Sequence, residues 1–184
     1  MANIGACDFH VQMYVGNGLY DASYSAKLVS ASVTIDGKEP ANLYADNEIA
    51  ESMGMFQGGT LTITLDDDRQ DNIYPRITEA FYNQTGNVLR LDDGASIPFC
   101  GVSFIIKKVV EGVIKWRLVK LYKVRFQYPD LDEQTQGESI EFRTLEFTAE
   151  IYRATEGSNA GDWCSMEDFD TEEDAQRHAS FPKA

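Results

Sequence analysis

The stretch FQGGTLTITLDDD, Phe56 to Asp68, decides how the chain is read. Leu61, Ile63 and Leu65 alternate with Thr60, Thr62 and Thr64, the two-residue period of a half-buried strand. Gly58-Gly59 in front marks a bulge or a close backbone approach. The three aspartates behind it have two readings: a metal or catalytic site, or a solvated turn on a building block.

Working outward, the same period recurs. Val29, Ala31, Val33 and Ile35 fall on one face of KLVSASVTID, with Ser30, Ser32 and Thr34 on the other. Pro98 to Pro129 reads as a long hairpin turning at Glu111-Gly112. On its second arm Ile114, Trp116, Leu118, Tyr122, Val124 and Phe126 share one face, and Lys115, Arg117, Lys123 and Arg125 the other. In SIEFRTLEFTAEIYR the apolar parity flips, from Ile140 and Phe142 to Leu145, Phe147, Ala149 and Ile151, so a bulge or kink is expected near Arg143-Thr144. Ile73, Ile77, Ala80 and Phe81 have helical spacing, and Pro75 is tolerated only in a first turn, which predicts a short helix starting near it. A terminal helix is expected after Thr171, its cap, with Glu172, Glu173 and Asp174 in the first turn. The expectation is a mainly β fold with one or two short α-helices and a long central hairpin. It forms one domain over 1–184, with 1–8 as an N-terminal arm and 176–184 as a flexible C-terminus.

Composition excludes several functions. With 43% hydrophobic and 11% aromatic residues the chain folds. Its net charge of −14 opposes a role in gripping nucleic acid by its phosphates. The opening MANIGACDFHVQMYVG lacks a basic segment and an apolar run, so no signal peptide is expected, and no stretch approaches a membrane helix, so no membrane anchor. Cys7, Cys100 and Cys164 are far apart and odd in number, and read as thiols of a reducing compartment. The sequon at Asn83 carries no weight without secretion.

Chemistry finds little support. Asp66, Asp67, Asp68 and Asp71 lack the glycine and the helical flanks of a calcium loop; Asp130, Asp132 and Glu141 come closer, but Thr135 replaces the glycine and strands replace the helices. His10 and His178 sit in no zinc pattern, and no nucleophile motif or phosphate-cradling loop appears. Cys7 and His10, three apart on a strand, are expected on opposite faces. No catalytic residue, metal or cofactor is expected, and the protein is read as not an enzyme. The charge map says more. Residues 104–128 carry seven basic groups and one acidic group, while both flanks are acidic. Lys108 is expected opposite Lys115. One reading is a solvated tip whose lysines guard an edge. The other is that Lys107, Lys108, Lys115 and Arg117 meet an acidic surface of another copy, the segregation that suits head-to-tail association.

Four segments in order carry a resemblance: LYADNEIAESMGMFQGGTLTITLDDD, WRLVKLYKVRFQYP, TQGESIEFRT and DFDTEEDA. Together they span most of residues 40–175, and they resemble the signature of the major tail proteins of long-tailed, non-contractile bacteriophages. Asp68-Arg69, where the family has a leucine, and Pro75, in a helix normally uninterrupted, depart from it. The resemblance implies a tail-tube type β-sandwich or barrel. It also implies a homo-oligomer of six-membered rings stacked into a tube through which phage DNA passes without specific binding. It places the protein in the virion tail, assembled in the host cytoplasm beside tape measure, tail terminator and tail-tip proteins. By the same resemblance the loop Asp36 to Gln57 contacts the adjacent ring, with Leu43, Tyr44, Asp46, Glu48, Glu51, Met53, Met55 and Phe56 as contact residues. Two alternatives stay open: the tube of a related injection or secretion device, and a monomeric β-sandwich carbohydrate-binding module presenting Trp116 or Trp163.

Overall fold

The structure is a computed structural model that describes residues 2–36, 41–45, 48–53, 56–66, 73, 77, 81–83, 88–90, 97–128 and 144–184. It is mainly β and sandwich-like. Its principal sheet is antiparallel and runs β2 (Leu19–Ala26), β1 (Ala2–Gly16), β9 (Phe99–Val110), β10 (Val113–Phe126), β11 (Leu145–Tyr152), β6 (Gly59–Leu65), β3 (Leu28–Ile35). The eighth strand, β12 (Cys164–Phe169), pairs with β10 beside β11. Two small hairpins stand apart: β4 (Ala41–Ala45) with β5 (Glu48–Met53), and β7 (Phe81–Asn83) with β8 (Val88–Arg90). The one described helix, α1, is Glu172–His178.

The sheet folds over so that β3 touches β1. β2 and β3 are separated only by Lys27, so one bent segment passes from one end of the sheet to the other, the device by which strands turn sandwich corners. The Lys27 carbonyl accepts from the Asp66 amide at 3.0 Å and pins the corner. Between the layers lie Phe9, Val11, Leu61, Ile63, Leu65, Val102, Phe104, Val119, Leu121, Val124, Phe126 and Phe147. Strand β6 alternates as its sequence demands, with Leu61, Ile63 and Leu65 buried and the threonines half-buried. In Gly58-Gly59 the close approach is real: a Cβ on Gly59 would lie 2.7 Å from the Thr34 carbonyl oxygen.

The long hairpin turns at Glu111-Gly112, both in the left-handed region (φ 52° and 82°), and Lys108 does pair with Lys115. Asn17-Gly18, absent from the expectations above, makes the same kind of turn between β1 and β2 (φ 53° and 74°). Thr171 caps α1 as expected, its side chain accepting from the Asp174 amide.

Several expectations need correction, most of them because a bulge breaks the period of two. In β10 the register shifts between Leu121 and Val124. Trp116 and Leu118 therefore lie on the outer face with Ile105, while Val124 and Phe126 point into the main core. The same shift puts Lys123 and Arg125 on the outer face, away from Lys115 and Arg117. In β1, Asp8 (φ 58°) bulges, so Cys7 pairs with Ile105 and His10 with Ser103, on the same face. Residues 2–8 are no arm but the first half of β1, paired with β9 as far as Val109. Strand β3 is an edge strand; Ala31 and Val33 pack on the core, whereas Val29 and Ile35 are exposed. Near Pro75 the described residues are Ile73 and Ile77, both buried, with the Ile77 amide donating to the Ile73 carbonyl, but Phe81 begins a strand. Ala80, Ile140, Phe142 and the acidic runs Asp67–Asp71 and Asp130–Glu141 lie outside the described residues.

The C-terminal segment is packed, not flexible. Phe181 is 4% exposed and lies against Tyr20 and Tyr122, over Gly101, where a Cβ would come within 2.6 Å of Tyr20. The Tyr20 amide donates to the Pro182 carbonyl and the Ala184 amide to the Tyr20 carbonyl. Replacing Phe181 by Ala should therefore cost about 3 kcal/mol. Urea unfolding should read this as a lowered midpoint; an unchanged midpoint would mean that the segment contributes nothing to the fold.

Candidate inter-subunit surface

Antiparallel pairing with β12 places Asp168 directly opposite Arg117. The Arg117 guanidinium grips the carboxylate with both arms, Nε donating to Oδ1 at 2.8 Å and Nη2 to Oδ2 at 3.1 Å. Lys108, one strand further, donates its ammonium to the same Oδ2, and Lys115 donates to Asp170. Lys107, on the other face, lies 5.1 Å over the Trp116 ring. All four cations expected to meet a neighbouring copy thus already have partners within the chain. Lys108 is no solvated tip residue either, at 2% exposed.

The hydrogen bond from Arg117, reinforced by Lys108, holds the Asp168 carboxyl well below the usual carboxylate range, although burial opposes it. Asp168 on Lys108 and Arg117, and Asp170 on Lys115, offset the like-charge cost of Lys108 facing Lys115. The sequence did carry a signal for this clasp. Asp168 and Asp170 alternate with the same period as Lys115 and Arg117, so two antiparallel strands could match them residue for residue.

The clasp belongs to a wider pattern. Among the described residues three polar or charged side chains are buried, Gln12, Ser103 and Lys108. Each is bound to the C-terminal segment. Gln12 Oε1 accepts from the Phe181 amide at 2.7 Å, Ser103 Oγ donates to the Ala179 carbonyl at 2.7 Å, and Lys108 donates to Asp168. Helix α1 sits on Ile105 and Leu118 through Ala175 and Ala179.

The second expected contact, residues 36–57, is not a plain loop. Its middle is the β4–β5 hairpin, with Leu43 opposite Glu51, Ala41 opposite Met53, Tyr44 opposite Ile49 and Ala45 opposite Glu48. Its ends meet, the Asp36 amide donating to the Gly58 carbonyl at 3.0 Å. Asp46 and Met55 lie outside the described residues. Phe56 is placed apart from the hairpin, stacked flat on Trp163 at 4.6 Å. Both rings pack against the main core, so Trp163 is no open platform, and Trp116 is half-buried beside α1.

Reactive groups are subdued. Burial pushes the Cys100 thiol up to about 12 and Cys164 up to about 11, and raises Cys7, which lies 4.0 Å from Glu172 Oε1. His10 shares a face with Cys7 but turns Nδ1 to Ser23 Oγ at 3.4 Å, and burial lowers its pKa. Among the described residues no group of His, Cys, Asp and Glu is placed to hold a metal ion, and no helix is long and apolar enough to cross a membrane. No protein-family model matches the chain, and no curated protein matches it.

Asp168→Asn should leave Lys108 buried without its anion. Asp168 is 43% exposed, so water moderates the loss, to about 1–3 kcal/mol. Lys108→Met, which removes the buried charge and keeps the volume, should be within about 1 kcal/mol of the parent. Because the Asp168 pKa is depressed by folding, its contribution is complete above the unfolded value near 3.9 and is lost as pH falls below it. The gap between parent and Asp168→Asn in thermal melts should hold from pH 7 to 5 and narrow below about pH 4; a gap that narrowed already between pH 7 and 5 would contradict the clasp.

Proposed function

We propose that the protein is a structural subunit that assembles into stacked rings forming the tail tube of a long-tailed bacteriophage. The observation that carries the reading is the set of four family-like segments in family order. Three of them lie wholly or partly in described elements: the first reaches β4, β5 and β6, the second lies along β10, and the fourth runs from the end of β12 into α1. Two features support it. The hairpin β4–β5 is tethered at a closed base beside the β3–β6 pairing, a fitting place for a contact that projects toward the next ring. The clasp neutralises much of the one basic block internally, so the excess of 30 carboxylates over 16 basic groups is left to an acidic surface. An acidic channel repels phosphate and lets DNA slide. In this reading the aspartates after β6 are turn residues, and no turnover is required of them.

Negative-stain electron microscopy of the concentrated protein, alone and with an initiator complex, should show rings and hollow tubes. A chain that stayed monomeric under both conditions would sink the reading. The contact role of the hairpin has its own test. Because its ends already meet, replacing residues 39–54 by a short Gly-Ser linker keeps the Phe56–Trp163 stack and should leave a folded, soluble subunit. Rings of this variant should fail to stack; tubes of normal length would remove the hairpin from the inter-ring contact.

A further inference from the structure

The cations of β10 differ in their partners. Lys115 and Arg117, toward the hairpin tip, are matched by Asp170 and Asp168, and Lys120 donates to the Ser180 carbonyl at 3.0 Å. Lys123 and Arg125, past the bulge, lie on the outer face and, among the described residues, make no ion pair. They stand instead among aromatic rings. Lys123 Nζ lies 4.5 Å from the centre of Phe99 and 5.5 Å from that of Tyr14, and the Arg125 guanidinium 5.7 Å from Phe99. Tyr152 meets Phe99 edge to face at 5.5 Å. The strip crosses β1, β9, β10 and β11 and begins where the cover of residues 164–184 ends. Arg125 and Tyr152 are exposed, and Tyr14, Phe99 and Lys123 half-buried.

We propose that this strip is a docking surface for a carboxylate-bearing region of a second copy of the chain; the choice of a second copy rests on the tube reading. Aromatic rings and arginine on rigid strands are the composition of an interface centre, because they give large contact area at small entropic cost. Cations already resting on ring faces have shed part of their water, which lowers the cost of burying them against an anion. The complementary charge is abundant, since carboxylates exceed basic groups by nearly two to one. A cationic patch that meets carboxylates from another part of a second copy makes a heterologous contact, which is head-to-tail and propagates. A nucleic acid fits less well. Two cations beside Glu150, which is paired across from Arg125 and accepts from the Tyr152 hydroxyl, can seat a carboxylate on the side away from Glu150 but do not match the long row of evenly spaced phosphates of a strand.

The test uses the full chain. Sedimentation velocity in 0.1 M and 1 M NaCl should show association that weakens with salt. Lys123→Glu/Arg125→Glu should associate at least 10-fold more weakly while keeping its circular dichroism, and Lys123→Arg/Arg125→Lys should restore it. Carbodiimide cross-linking of mixed light and heavy-isotope protein, which needs no variant, should join Lys123 of one copy to a carboxylate of another. Tubes formed equally well by the glutamate variant, with no such cross-link, would overturn the docking surface and leave the tube reading intact. Salt-sensitive oligomers without rings, lost in the variant, would uphold the surface and sink the tube. A parent that stays monomeric sinks both. Binding of a labelled single-stranded oligonucleotide, abolished by the variant, would replace the second copy with nucleic acid and overturn the proposal. Should the glutamate variant misfold, the cross-link decides.

Discussion

The free edge of β10 is divided between two partners, and the rest of the structure follows from that division. Along its other edge β10 pairs with β9 for nearly its whole length. On the shared edge, β12 takes residues 116–121 and β11 takes 123–126. The bulge between Leu121 and Val124 lies at the handover. There the strand changes its parity, so Val119 and Leu121 before the bulge and Val124 and Phe126 after it all feed the main core, while Trp116 and Leu118, beside β12, join the outer apolar cluster. One edge thereby joins the sandwich to the C-terminal segment and leaves that stretch of strand covered instead of open to chance pairing.

The clasp follows from the same division. Lys108 is tolerable in a buried place only because β12 delivers Asp168 to it, and β12 is there only because β11 stops short. Attraction between buried charges is weak evidence for net stability, since desolvation opposes it. Its larger effect is on register. A shift of β12 by one residue would turn Asp168 to the outer face and press Phe169 against the cations.

How much of this was legible in the sequence depends on how local each cause is. The alternation of Leu61, Ile63 and Leu65, the turn at Glu111-Gly112 and the Thr171 cap are set by neighbours in the chain, and all three stand as read. The faces of β1 and β10 were misread, because the bulges at Asp8 and after Leu121 are imposed by packing and leave no mark in composition. Lys108 and Asp168 are sixty residues apart; the shared alternation of Lys115 and Arg117 with Asp168 and Asp170 permits that strand pairing, but nothing in either segment brings Lys108, one strand further, to the same carboxylate. Gln12, Ser103 and Phe99 went unremarked for the same reason. Each is ordinary where it stands and gains its role only from what the fold lays upon it.

The dependence of Gln12, Ser103 and Lys108 on residues 168–181 has a consequence for synthesis. A chain emerging from the ribosome can pair β1, β9 and β10 early, but Gln12 Oε1, Ser103 Oγ and the Lys108 ammonium stay unmet until residues 168–181 have emerged as well. Until then the sheet holds unsatisfied polar groups and an open stretch of β10 edge, so a product truncated before this segment stays short of the mature packing.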